Sequence, residues 1–166
     1  MIPPHPPSGS ENERVVYEIL LDCPGTEDWV VLHQLDFSHH VTHASGEADL
    51  IVFVPGEGIA FLEVKGFVEL IDGQWFFGRS RSANRSPFLQ ARGAMYSILK
   101  WLTDEHPSLK RCPCVSGAVF VQTKWDTVIP DADPEQLIDS RHVDIRTPQL
   151  LADAVLALIR HGVDRL

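Results

Sequence analysis

Two apolar runs stand almost back to back: Asp49-Leu-Ile-Val-Phe-Val54 and Ile59-Ala-Phe-Leu-Glu-Val-Lys65, parted only by Pro55-Gly-Glu-Gly58. Both are rich in β-branched and aromatic residues and are apolar at odd and even positions alike. Successive side chains of a strand point to opposite faces, so strands of this kind are greasy on both sides and need cover on both. Pro and Gly between them supply turn conformations. The pattern predicts an antiparallel hairpin at the centre of a sheet, with further layers on each face.

The rest of the chain reads around that hairpin. Ser10, followed by Glu11 and Glu13, is an N-cap signal, and Val15, Val16, Ile19 and Leu20 recur at helical spacing until Cys23-Pro-Gly25. Asp28 to Leu35 reads as a strand. Val68 to Ile71 and Gln74 to Phe77 read as a second hairpin about Asp72-Gly73. Ser86-Pro87 opens a helix with Phe88, Met95, Leu99 and Leu102 on its inner stripe. Val115 to Gln122 is another buried strand. Asp133-Pro134 starts a short helix, His142 to Ile145 reads as a strand, and Thr147-Pro148 opens a last helix. This order predicts a mixed α/β (α+β) domain, a central mixed sheet flanked by helices. The chain of 166 residues suits one such domain over 10–166, after a disordered Pro-rich tail over 1–9.

No apolar run approaches the roughly eighteen residues of a membrane span, and the first ten residues lack a signal-peptide pattern. The expectation is a cytoplasmic protein that does not enter the membrane. Three cysteines, two of them as Cys112-Pro-Cys114, lack the spacing and number of a zinc knuckle. His39, His40 and His43 likewise lack a fourth ligand and read as loop residues. A net charge of −9 excludes a protein that coats nucleic acid through overall charge. Between Gln74 and Thr103, however, stand Arg79, Arg81, Arg85, Arg92 and Lys100 with no acid among them. That segment can meet phosphates, and Trp75, Phe76 and Phe77 beside it are candidates to stack on bases, although aromatics in a strand are more often core.

Three charges interrupt the central strands: Asp49 at the start of one, Glu63 and Lys65 at the end of the next. Burying such groups costs several kcal/mol unless they are paired or bind a metal. Glu63 and Lys65, two apart, share a face. Two carboxylates suit Mg²⁺, which keeps most of its waters, and a lysine beside them can offset charge developing on a phosphate. Register decides whether Asp49 joins them. Pairing Val54 with Ile59 sets Asp49 opposite Val64, on the wrong face; pairing Phe53 with Ile59, through a longer loop or a bulge, sets it opposite Glu63. The second register is expected. Glu11 and Glu18 read as solvated helix acids, with a place in the site as the alternative, and Glu47 reads equally as a partner on the face of Asp49 or as a polar loop end.

Taken together, Gly46-Glu-Ala-Asp49, Glu63-Val-Lys-Gly66 and Ser86-Pro-Phe-Leu-Gln90 resemble the motif series of the NERD (nuclease-related) domain, over about Glu11 to Gln122. NERD is a branch of the PD-(D/E)xK superfamily, which includes restriction and repair endonucleases. The resemblance implies a restriction-endonuclease-like core and hydrolysis of DNA phosphodiester bonds with Mg²⁺ or Mn²⁺, in DNA repair, processing or defence. It implies that Asp49 and Glu63 are metal ligands, that Lys65 is catalytic, that Glu13 completes the metal site and that Gln90 assists the reaction or contacts DNA. It also implies service beside a helicase or another DNA-processing protein. The family commonly has Asn-Pro where this chain has Ser86-Pro87, and serine is expected to cap the helix as well. The rival reading is a non-catalytic module that binds nucleic acid or protein on the same fold.

Overall fold

A computed structural model of the chain describes residues 10–36 and 47–164. The N-terminal tail and the loop carrying His39, His40 and His43 lie outside the described residues.

Helix α1 (Glu11–Leu21) begins where its cap predicts. Ser10 Oγ accepts the Glu13 amide at 3.3 Å and donates to the Glu13 carboxylate at 2.7 Å. Strands β1 (Val30–Asp36), β2 (Glu47–Val54) and β3 (Gly58–Lys65) follow. The second hairpin, β4 (Val68–Ile71) and β5 (Gln74–Phe77), forms a separate two-stranded sheet. Asp72 and Gly73, with φ of 50° and 75°, give it the left-handed turn that Asp-Gly favours. Helix α2 (Pro87–Glu105) then carries the chain back to β6 (Cys114–Phe120), and β7 (Leu137–Ile138) and α3 (Gln149–Val163) complete the order.

The main sheet runs β1-β2-β3-β6-β7. β1, β2 and β3 are antiparallel neighbours, whereas β3, β6 and β7 are parallel. A parallel pair needs a long crossover; here the small hairpin and α2 fill the path from β3 to β6. The predicted central hairpin therefore occupies the middle of a mixed sheet. On one face α1 and α3 pack Tyr17, Leu20, Leu151, Val155 and Leu158 against Leu50, Val52, Leu62 and Val64. On the other, α2 packs Ala94, Met95 and Ile98 against Ile51, Ile59 and Phe61. Each fully buried side chain of this size contributes roughly 2 kcal/mol.

Three expectations need correction. His142 to Ile145 is turn, not strand, and Leu137-Ile138 holds the seat beside β6. The cause is local: the Asp139 carboxylate accepts the backbone amides of Trp125 and Arg141, and Asp144 accepts that of Arg146, so side chains offer the backbone an alternative to the ladder. Ser86 stands at the N-cap of α2, yet its hydroxyl makes no cap bond and is buried without a partner. The inner stripe of α2 is Phe88, Ala91, Ala94, Met95 and Ile98, leaving Leu99 and Leu102 half-buried. Of the two places open to Trp75 the structure takes the commoner one, the core: it stacks on Phe120 with ring centres 6.1 Å apart, and its indole N–H donates to Asp131 at 2.9 Å, so it is not available to a base.

Candidate functional site

The β2–β3 register pairs Phe53 with Ile59 and Leu50 with Leu62. Continued by one step, this register sets Asp49 opposite Glu63, the arrangement expected from the sequence. Val54 also pairs with Gly58, so the turn itself shrinks to residues 55–57. Gly58 has φ of 154°, and a Cβ there would stand 2.6 Å from the Pro113 carbonyl oxygen. That carbonyl accepts the Ile59 amide at 2.8 Å, so the glycine lets β6 dock against the start of β3. Hairpin register and crossover are thus fixed at one end of β3, and the charges lie at the other.

At that end Lys65 stands between the two acids. Its ammonium donates to Glu63 Oε1 in a short contact and lies 3.8 Å from Asp49 Oδ2. Asp49 Oδ2 also accepts the backbone amide of Val64 at 2.8 Å, which anchors the carboxylate to β3. The Phe77 ring of the small hairpin lies under the ammonium, 5.4 Å away. Burial pushes the Glu63 carboxyl up to about 7; the charges of Asp49 and, more weakly, Glu13 act in the same direction, and Lys65 opposes them.

Glu13 reaches the neighbourhood from α1. Gly66, directly after Lys65, leaves room for the preceding residue of that helix: a Cβ on Gly66 would stand 2.7 Å from the Asn12 amide nitrogen. Glu13 is buried, with one carboxylate oxygen held by Ser10 and the other 3.0 Å from His33 Nε2. His33 is the residue that sequence reading missed. Its side chain is fully buried, its ring meets Tyr17 edge-on, and its Nδ1 has no partner. A carboxylate accepts only, so the Nε2 beside it carries the hydrogen of that bond. The signal was present, since His33 shares a strand face with Val31, where a buried apolar residue would be expected.

The remaining candidates are spread more widely. Gln90 donates to the Arg85 carbonyl at 2.8 Å, and no contact with Asp49, Glu63 or Lys65 is seen among its bonds. It lies in the first turns of α2, two residues after Phe88, whose ring packs on Phe120, the neighbour of Lys65 in the sheet. Arg79, Arg81, Arg85 and Arg92 are all exposed, and among the described residues none of the four has an acidic partner. Glu11 and Glu18 are exposed, the latter paired with Arg14.

Among the described residues no group of three or more His, Cys, Asp and Glu side chains is arranged to hold a metal. The cysteines are free, and burial pushes the Cys114 thiol up to about 12, far from a thiolate ligand. Asp49 and Glu63 remain: two hard oxygen donors near enough to share one cation-sized charge, here the Lys65 ammonium. A pair of carboxylates is what Mg²⁺ or Mn²⁺ takes from a protein, with water filling the other positions. A divalent cation would favour the ionised form of Glu63 that burial opposes. The donor set fits such an ion.

No helix among the described residues is long and apolar enough to cross a membrane. No curated protein and no solved structure matches the chain significantly. A family model does: the nuclease-related domain matches residues 8–121, which hold α1, the central hairpin with Asp49, Glu63 and Lys65, and α2 with Gln90. With that match over more than half its length, on a five-stranded mixed sheet flanked by three helices, the chain belongs to the NERD family of the PD-(D/E)xK nucleases.

Proposed function

We propose that the chain is a metal-dependent nuclease that hydrolyses phosphodiester bonds of DNA. The observation that carries the reading is the approach of one ammonium, Lys65, to two carboxylates on neighbouring strands, Glu63 buried and Asp49 half-buried. In this reading Asp49 and Glu63 hold Mg²⁺ or Mn²⁺, with Glu13 as a further ligand or a support. When bound, the ion neutralises the phosphate and makes a nearby water more acidic. The chain does the rest. Asp49, tied to the Val64 amide, keeps its carboxylate in place without reorganisation. Lys65 turns its ammonium from Glu63 to the phosphate oxygen that gains charge as water attacks, a change strengthened by the buried surroundings. Water adds to phosphorus and gives up a proton to solvent, the bond to the leaving oxygen breaks, and that oxygen takes up a proton from solvent. Arg79, Arg81, Arg85 and Arg92 meet the flanking phosphates, and Gln90 assists at the start of α2.

Linear, nicked and single-stranded DNA incubated with Mg²⁺ or Mn²⁺ tests the reading, with wild type, Asp49→Ala and Lys65→Ala side by side. We expect cleavage by wild type and a loss of roughly a hundredfold or more in each variant. A wild type inert with both ions, or variants that cut as it does, would favour a non-catalytic binding module on the same fold.

A further inference from the structure

Among the described residues two aromatic rings are exposed, Phe67 and Tyr96, at 45% and 64%. Every other described Phe, Tyr and Trp is buried or half-buried. Both exposed rings lie beside the unpaired arginines. Phe67 follows Lys65 by two residues, and its carbonyl accepts the Gly78 amide at 2.8 Å, which sets Arg79 beside it. Tyr96 lies on α2 one turn after Arg92, so the two share a helix face. Arg85 reaches the same turn: a Cβ on Gly93 would stand 3.7 Å from its guanidinium. The stretch from Gly78 to Ser86 therefore links one ring-and-arginine pair next to Lys65 to a second on α2.

A duplex has no use for such rings, because its bases are already stacked on one another. Unpaired bases do, since each offers a free π-face, and groove cations that follow the backbone complete a single-strand site. A protein partner could also cover exposed rings. Four guanidiniums without acidic partners among the described residues, in a chain of net charge −9, favour a polyanion instead. We infer that Phe67 and Tyr96 are stacking platforms for unpaired bases, and that this surface makes single-stranded DNA, free or as the frayed end or flap of a duplex, the substrate that reaches Lys65. The inference rests on the nuclease reading for its substrate and on the surface alone for binding.

Binding is measured in EDTA, where no cleavage interferes, by fluorescence anisotropy of labelled oligo(dT) and of a blunt hairpin duplex of equal length. Wild type should prefer oligo(dT) by about tenfold or more, and Phe67→Ala or Tyr96→Ala should each weaken that binding about tenfold, the size of one lost base stack. Duplex binding should hardly change, and Phe67→Trp and Tyr96→Trp should bind oligo(dT) as wild type does. Equal affinity for both DNAs, absence of binding, or alanine variants that bind oligo(dT) like wild type would each overturn the inference, the last leaving the rings to a protein partner. The two readings fail separately. Strand preference in a protein that cuts nothing with Mg²⁺ or Mn²⁺ leaves the surface and removes the nuclease. Cleavage of duplex by a protein whose ring variants bind normally does the reverse.

Discussion

Glu63 sets the electrostatic problem of the site, and its sign can be followed with pH. Its folded value of about 7 lies above the ordinary 4.5, chiefly through burial, so folding favours the protonated form. The stabilisation this gives is full below pH 4.5 and is withdrawn as pH climbs through 7; the whole span is on the order of 3 kcal/mol. Without divalent cation, Glu63→Gln should therefore raise the thermal midpoint at pH 8 and bring no gain at pH 5. A wild type that melts higher than the variant at pH 8 would contradict the assigned environment. Addition of Mn²⁺ should raise the wild-type midpoint and leave that of the variant nearly unchanged. His33 makes a second case. His33→Leu leaves one oxygen of the buried Glu13 carboxylate without its donor and should cost about 1–3 kcal/mol in denaturant unfolding, with His33→Gln recovering part of it through its amide. The Val64 amide offers a direct readout of the neighbouring acid. It donates to Asp49 Oδ2, so its nitrogen and proton shifts should be among the first to move when Mg²⁺ is titrated in.

Among the elements, β3 stands where the sheet changes from antiparallel to parallel pairing, antiparallel to β2 and parallel to β6. Gly58→Ala would press a methyl onto the Pro113 carbonyl and force a positive φ on an L-residue. We expect a loss of about 2–3 kcal/mol in stability, and a fall in cleavage as β6 is displaced from its partner. Much of this layer was legible in the sequence. Apolar runs with no wet face announced a central hairpin, and the demand that Asp49 face Glu63 selected the Phe53–Ile59 register before any geometry was known. Asp72-Gly73 fixed the second hairpin for the same local reason that any such turn is fixed. What stayed hidden depended on distant contacts or on competition between side chain and backbone. The strand order through β6 and β7 follows from a crossover that no local pattern encodes. His142 to Ile145 looks like a strand until Asp139 and Asp144 take up the backbone amides. His33 becomes a site residue only because α1, far away in sequence, brings Glu13 to it. Trp75 lies in the core, as strand aromatics more often do; Phe67 and Tyr96, which stand outside the run from Trp75 to Phe77, are the exposed rings among the described residues.

At the scale of the whole molecule, charge is divided. In a chain of net charge −9, the exposed arginines from Arg79 to Arg92 are the proposed contact with DNA, so binding should depend steeply on salt. Replacing Arg92 by Ala should lower the slope of log affinity for oligo(dT) against log salt by about 0.7, the share of one phosphate contact on a single strand. Arg146→Ala, whose guanidinium is paired with Asp144, should leave the slope as it is. Helix α3 has a different bearing on the whole. It lies outside the residues matched by the family model, which end at 121, yet Leu151, Val155, Leu158 and Ile159 cover the same sheet face as α1. The boundary that relates this chain to its kin is therefore not the boundary of what can fold. A chain cut after residue 121 would keep every proposed catalytic residue and still leave Leu62, Val64 and Val119 partly open to water. Such a fragment should aggregate or stay unfolded when expressed, and a peptide spanning α3 supplied in trans should restore solubility.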